Sequence, residues 1–134
     1  MIKKYFPHFL LFIYSVEFII AGINPFDRAV WYVENGPILA LVIFIVILYW
    51  RKVRFSNAAY ALMFVLPFLH TIGGHYTFEH VPFDWFNNLI GSERNNYDRV
   101  AHASVGLYSF LIIEMFIKYH LVNKKWVAFT YAIF

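Results

Sequence analysis

Apolar residues run through this sequence in four long stretches, each bounded by charge: Tyr5 to Ile23, Pro37 to Trp50, Phe55 to Ile72 and Val100 to Val122. A helix that crosses a hydrocarbon core about 30 Å thick needs about 20 apolar residues, with about 17 to 25 tolerated. The first, third and fourth stretches satisfy this directly. The second is short but uninterrupted, and Trp31 and Tyr32 before it, with Trp50 and Arg51 after it, anchor both ends at the interfaces. A fifth run, Trp126 to Phe134, follows Lys124-Lys125. As helix it rises only about 13.5 Å, too little to cross. The expected architecture is therefore all-α, a polytopic transmembrane helical bundle forming one membrane domain over 1–134. Its spans are expected at 5–23, 37–50, 55–72 and 100–122, with a partial fifth at 126–134.

Polar positions fill in the connections. Between the third and fourth stretches, Gly73 to Arg99 is the longest, and within it Phe83, Phe86 and Ile90 follow helical spacing beside Trp85 and Leu89. That pattern predicts a short helix lying in the membrane interface. Gly91 to Asn96 then reads as a turn. The 134 residues are 61% hydrophobic and 14% charged, against about 45–50% and about 25% for soluble domains. This excludes disorder and a soluble fold. Zero cysteines exclude a disulfide scaffold and thiolate chemistry.

The net charge of +3 does not indicate nucleic acid, because the basic residues are distributed by loop. With the N-terminus inside, the cytoplasmic segments hold Lys3, Lys4, Arg51, Lys52, Arg54, Lys118, Lys124 and Lys125 and no acidic residue. The opposite side holds Arg28, Arg94 and Arg99 with six carboxylates. This is a positive-inside distribution, and it places the N-terminus in the cytoplasm. A signal peptide is disfavoured because Glu17 interrupts the apolar run and Phe18 to Asn24 offers no small-residue cleavage site.

Candidate chemistry gathers on the outer side. His70, His75, His80 and His102 fall within 33 residues, near Glu79, Asp98 and Arg99. Asp98 and His102 share one helix face by their i, i+4 spacing. The Gly73-Gly74 pair allows close approach of another element beside His75. Imidazole and carboxylate at a helix mouth suit a divalent metal such as zinc, with His75, Asp98, His102 and His70 as ligands. Equally, such groups cap helices and meet water, and Asp98 gains from the helix dipole without a metal. Ser104 lies two residues past His102 and faces away from it. Metal-activated water is then the expected attacking group of any enzyme here.

Two carboxylates interrupt apolar stretches, where ionisable groups point to function. Glu17 is level with the outer site and is a candidate base. Glu114 lies about 22 Å below Arg99 and is expected to pair with Lys118 at i+4. Pro67 is expected to give a tolerated kink, its freed carbonyl satisfied by a neighbouring helix.

Three blocks carry a resemblance: Ile23-Asn-Pro-Phe-Asp-Arg-Ala-Val-Trp-Tyr-Val-Glu34, Gly73-Gly-His-Tyr-Thr-Phe78 and Asn96-Tyr-Asp-Arg-Val-Ala-His102. In these the sequence resembles the YjdF-like bacterial inner-membrane proteins, a domain-of-unknown-function family, over nearly its whole length. The resemblance implies an inner-membrane location and marks Asp27, Arg28, Trp31, Glu34, His75, Tyr76, Asp98, Arg99 and His102 by motif position, leaving Glu79 and His80 outside. Family members look longer, with further helices and an acidic motif, so the chain is expected to be interrupted in its fifth helix. The Asp-Arg-x-x-His block is also similar to the Asp-Lys-x-x-His block of VanZ-like membrane proteins. The leading functional expectation is an outer-leaflet His/Asp site for metal-dependent hydrolysis or transfer on a lipid or envelope substrate, with Glu17 as base and Arg99 for an anionic head group. The alternative is a non-enzymatic transport or structural protein, for which Glu17 and Glu114 must share one interior route.

Overall fold

The structure is a computed structural model that describes residues 2–121 and residue 130. The expected partial span at 126–134 therefore lies outside the described residues, Thr130 apart. Six α-helices can be bounded among the described residues: α1 (Ile2–Ala21), α2 (Arg28–Trp50), α3 (Asn57–His75), α4 (Asp84–Leu89), α5 (Tyr97–Ala103) and α6 (Ser109–Lys118). A 3-10 segment, Ser104–Tyr108, joins α5 to α6, and together they make a single apolar span, Tyr97–Lys118. With α1, α2 and α3 this gives four helices long and apolar enough to cross a membrane among the described residues. No strand occurs among them. The fold is all-α, as its apolar stretches predict.

The middle helix organises the bundle. In α3, 44% of the span is buried inside the protein, against 11–17% in the other three. α1, α2 and the last span each pack closely against α3, while α1 and α2 meet one another through long side chains, His8 on Tyr49 and Phe18 on Trp31. Small or slim residues on α3 permit this: Ala59, Thr71, Gly73 and Gly74 are all buried. In a bilayer, apolar side chains gain little by leaving lipid for protein, so close backbone approach and interhelical hydrogen bonds hold such bundles. Large side chains such as Phe12, Ile19, Phe44 and Phe110 stay exposed around the outside, as a lipid-facing surface requires.

Two boundaries differ from expectation. α2 begins at Arg28, nine residues before Pro37, because Asp27 caps it by accepting a hydrogen bond from the Val30 N–H at 3.0 Å. Pro37 sits inside the helix, where its fixed φ fits and only one donor is lost. The last span starts at Tyr97 instead of Val100 and is not continuous α-helix. Ser104 donates to the Ala101 carbonyl at 2.5 Å and Ser109 to Gly106 at 2.6 Å, bonding back to the preceding turn at both ends of the 3-10 segment.

Pro67 cannot donate to the Met63 carbonyl four residues earlier. The Tyr108 hydroxyl donates to that carbonyl instead, at 2.9 Å, so the neighbouring span satisfies the freed acceptor. A second such bond runs from the Tyr97 hydroxyl to the Leu69 carbonyl at 2.7 Å. In the long connection, α4 forms where the Phe83, Phe86 and Ile90 spacing predicts. Phe83 packs on the Val81, Tyr97 and Ala101 cluster, whereas Trp85, Leu89 and Ile90 are exposed. The 91–96 turn uses Gly91 at φ 67° and is tied by Asn87, which accepts from both the backbone and side-chain N–H groups of Asn96.

Candidate functional site

The four histidines His70, His75, His80 and His102 divide into two pairs with different work. His70 and His102 face each other where α2, α3 and α5 converge, their ring centroids 5.9 Å apart. On one side Nε2 of His70 is 3.8 Å from a carboxylate oxygen of Glu34 in α2. On the other, Nδ1 of His102 lies 2.9 Å from both the carboxylate and the backbone carbonyl of Asp98. The result is a chain, Glu34, His70, His102, Asp98. Its His70 end is 9% exposed, while the side chains of His102 and Asp98 are more than half exposed. Below it the His70 Nδ1, the Asn35 side-chain oxygen and the Thr71 hydroxyl are buried without a hydrogen-bond partner among the described residues.

The Gly-Gly block builds one wall of this chain. The Phe78 ring lies on Gly73 so closely that a Cβ there would sit 2.2 Å from it. From that position the ring touches His70 edge-on at 4.9 Å and approaches His102 at 6.1 Å. Thr77 and Phe78 both hold positive φ, 51° and 59°, to turn the chain back over the end of α3. Such conformations cost side-chain-bearing residues about 1–3 kcal/mol and persist where surrounding packing over-determines them. Gly74 similarly lets Asn35 of α2 approach, 2.4 Å from where its Cβ would be.

The other pair are staples. His75 donates from Nδ1 to the Ala21 carbonyl at the end of α1, 2.8 Å away, and its own carbonyl accepts the Phe26 N–H at 2.9 Å. His80 stacks on the Phe26 ring at 4.0 Å and bonds Thr77. Both histidines thus fasten the α1–α2 connection over the end of α3. This placement sets His75 apart from Asp98, His102 and His70, with which the sequence groups it as a metal ligand. His75 and His70 are five residues apart on α3, about 140° around its axis, so they address different neighbours. Among the described residues no three His, Asp or Glu side chains converge closely enough to hold a metal ion. The residues present do not fit the divalent-metal set read from the sequence.

Glu17 also lies apart from the chain. Its stem lines a cleft of about 470 Å³ between α1 and α3, with Phe68, Ile72 and His75. Its carboxylate oxygens are buried and have no hydrogen-bond partner among the described residues, so it makes no contact with Asp98 or His102. Arg99 is exposed beside Asp98. Glu114 does not pair with Lys118. It accepts from the N–H and hydroxyl of Ser56, at 2.5 and 2.6 Å, while Lys118 donates to the Arg54 carbonyl. Both residues are used to close the far end of the bundle.

Residues 6–134 match the protein family described as "Predicted membrane protein (DUF2238)". The chain belongs to that family. It is also similar to "Inner membrane protein YjdF" of Escherichia coli (strain K12), 28% identical over 114 residues, which is 83% of this chain and 54% of the relative. The chain thus spans about half the length of the curated relative it matches. No solved structure matches it.

For this DUF2238 chain the three sequence blocks now have physical roles. The first supplies the Asp27 cap and Glu34. The second supplies the two close approaches at Gly73 and Gly74, the His75 staple and the Phe78 wall. The third supplies the Asp98–His102 contact. Phe78 was not singled out by spacing. Its only sequence signal is an aromatic residue five positions after a buried helical glycine, which becomes informative once the chain is known to reverse there.

Proposed function

We propose that this protein is a multi-pass inner-membrane protein, N-terminus in the cytoplasm, whose His102–Asp98 pair is the general base of a hydrolysis or transfer reaction on a lipid or envelope substrate at the outer leaflet. The name of the relative and the basic residues of the N-terminal side support the placement. One observation carries the chemistry. Both groups that meet Nδ1 of His102 at 2.9 Å are oxygens of Asp98, so the proton sits on Nδ1 and the lone pair of the neutral ring sits on Nε2. A base held in one tautomer by a carboxylate is the arrangement that activates water or a hydroxyl.

In this reading Nε2 takes the proton as the oxygen attacks, Asp98 stabilises the imidazolium, and the leaving group takes the proton back. His70, backed by Glu34, is the second imidazole at the same place. Arg99, exposed next to Asp98, offers a cation to an anionic head group. The transport alternative is not favoured, because Glu114 is engaged at Ser56 and the apolar Tyr14, Ile38 and Leu66 cluster lies between it and the outer site.

The test is reconstitution of the chain in vesicles of phosphatidylglycerol and phosphatidylethanolamine, with head-group release or transfer followed by mass spectrometry. His102→Ala is expected to lower turnover by about 10²-fold or more, the usual contribution of a general base. Asp98→Asn lowers it less, and Arg99→Gln raises KM. Absent turnover in the unaltered chain, or turnover untouched by His102→Ala, overturns the proposal.

A further inference from the structure

The N-terminal end of the bundle carries a second feature, remote from the His102–Asp98 pair. Because the backbones of α1 and α2 each lie close to α3 but not to one another, an apolar groove of about 130 Å³ runs between them with α3 as its floor. It extends from His8 and Trp50 at one end to Tyr14 and Pro67 at the other. Its walls are hydrocarbon and aromatic rings, with Leu11 and Val46 on the two rims. A groove of this kind on a membrane-spanning helix pair opens toward lipid tails.

Its mouth is positively charged. Arg51 and Lys52, both exposed, follow Trp50 directly, and Lys4 lies one helical turn before His8. The ring of Tyr49, which lines the groove and meets His8 edge-on at 5.1 Å, carries the Arg54 guanidinium 3.2 Å from its centre. The one carboxylate side chain at this end among the described residues, Glu114, is occupied by Ser56. An apolar slot with cations at its rim is complementary to one kind of bilayer component. We infer that the α1–α2 groove is a binding site for an anionic phospholipid, an acyl chain lying in the slot and the phosphate at the Arg51, Lys52 and Lys4 rim.

Native mass spectrometry of the purified full chain tests this, in detergent containing equal amounts of palmitoyl-oleoyl phosphatidylglycerol and phosphatidylcholine. One phosphatidylglycerol is expected to remain bound in preference to phosphatidylcholine, by about fivefold for each rim cation that meets the phosphate. The double variant Arg51→Gln/Lys52→Gln, altered only at exposed positions, is expected to lose the preference while keeping its helical circular dichroism. Leu11→Trp, which fills the slot from its lipid-facing rim, is expected to lower the retention of both lipids. Equal retention of the two lipids by the unaltered chain overturns the inference, since the cations then serve insertion alone. So does a preference that survives both variants, or a lipid-free dimer in which a second copy covers the groove.

Discussion

Adding one methyl group at Gly73 puts the strongest demand on the wall of the candidate site. A Cβ at this position would meet three atoms of the Phe78 ring at 2.2, 2.5 and 2.8 Å. Carbon atoms in good contact are about 3.5–4.0 Å apart, so the ring must retreat by more than about 1 Å. It has little freedom to do so. The Phe78 N–H is bonded to the Gly73 carbonyl at 2.7 Å, its φ is already 59°, and its ring is bounded by His70. Overpacking of this kind costs about 1–3 kcal/mol. Against it stands the helix preference for Ala over Gly, about 0.8–1.0 kcal/mol.

The clash is expected to win, leaving Gly73→Ala less stable by up to about 2 kcal/mol. Gly36→Ala, where nothing lies within 4 Å, supplies the matched control and should be neutral or slightly stabilising. Unfolding in mixed micelles by sodium dodecyl sulfate, followed by circular dichroism, measures both. Combining Gly73→Ala with Phe78→Ala should show a coupling of about 1 kcal/mol or more, because the added methyl then enters the space left by the ring. Equal stability of Gly73→Ala and Gly36→Ala, or strict additivity in the cycle, would refute the close approach of Phe78 to α3.

Three further perturbations probe the scaffold. Ser56→Ala removes the α3 cap, whose hydroxyl accepts from the Ala59 N–H at 3.1 Å, and takes away one of the two donors to Glu114, the backbone N–H remaining; a loss of about 1–2 kcal/mol is expected in the same unfolding assay. Asn87→Ala leaves the backbone N–H of Asn96 without its acceptor, while the Asn96 side-chain amide keeps Ser92 and the Arg94 carbonyl, costing about 1–3 kcal/mol and raising amide hydrogen exchange through residues 92–97. His75→Ala frees the Ala21 carbonyl, so exchange should rise at Phe26, while the zinc content of the purified protein stays that of the unaltered chain; a fall in bound zinc would restore His75 as a ligand.

Span by span, the apolar runs were legible because length and composition decide whether a helix crosses a bilayer. What they hid was local. The start of α2 depends on one capping bond at Asp27, and an apolar-run count begins instead at Pro37. The 3-10 segment depends on two serine hydroxyls turning back on their own backbone. At the site, Asp98 and His102 were recoverable from an i, i+4 spacing because both sit on one helix. The partnership of His70 with Glu34 and His102 was not, since it is made by packing three separate helices. His75 lies apart from His70 for the same reason: proximity in sequence does not give proximity in direction. Glu114 had a suitable local partner in Lys118, yet the bundle offered it two donors at Ser56.

The 3-10 segment also changes how the last span presents itself. A 3-10 turn advances about 120° per residue where an α-helix advances about 100°, so the five residues Ser104–Tyr108 add about 100° of rotation. Everything after Tyr108 is therefore rephased by more than a quarter turn relative to a continuous helix. Glu114 would lie about 120° around the axis from His102 on an unbroken helix and instead lies about 140° from it on the opposite side. One transmembrane segment thereby serves two different neighbours, placing an imidazole against α2 and α3 at one membrane surface and a carboxylate against the start of α3 at the other. An insertion or deletion within 104–108 would act as a change of phase, turning one of those two groups away from its partner while leaving the hydrophobic length of the span nearly unaltered.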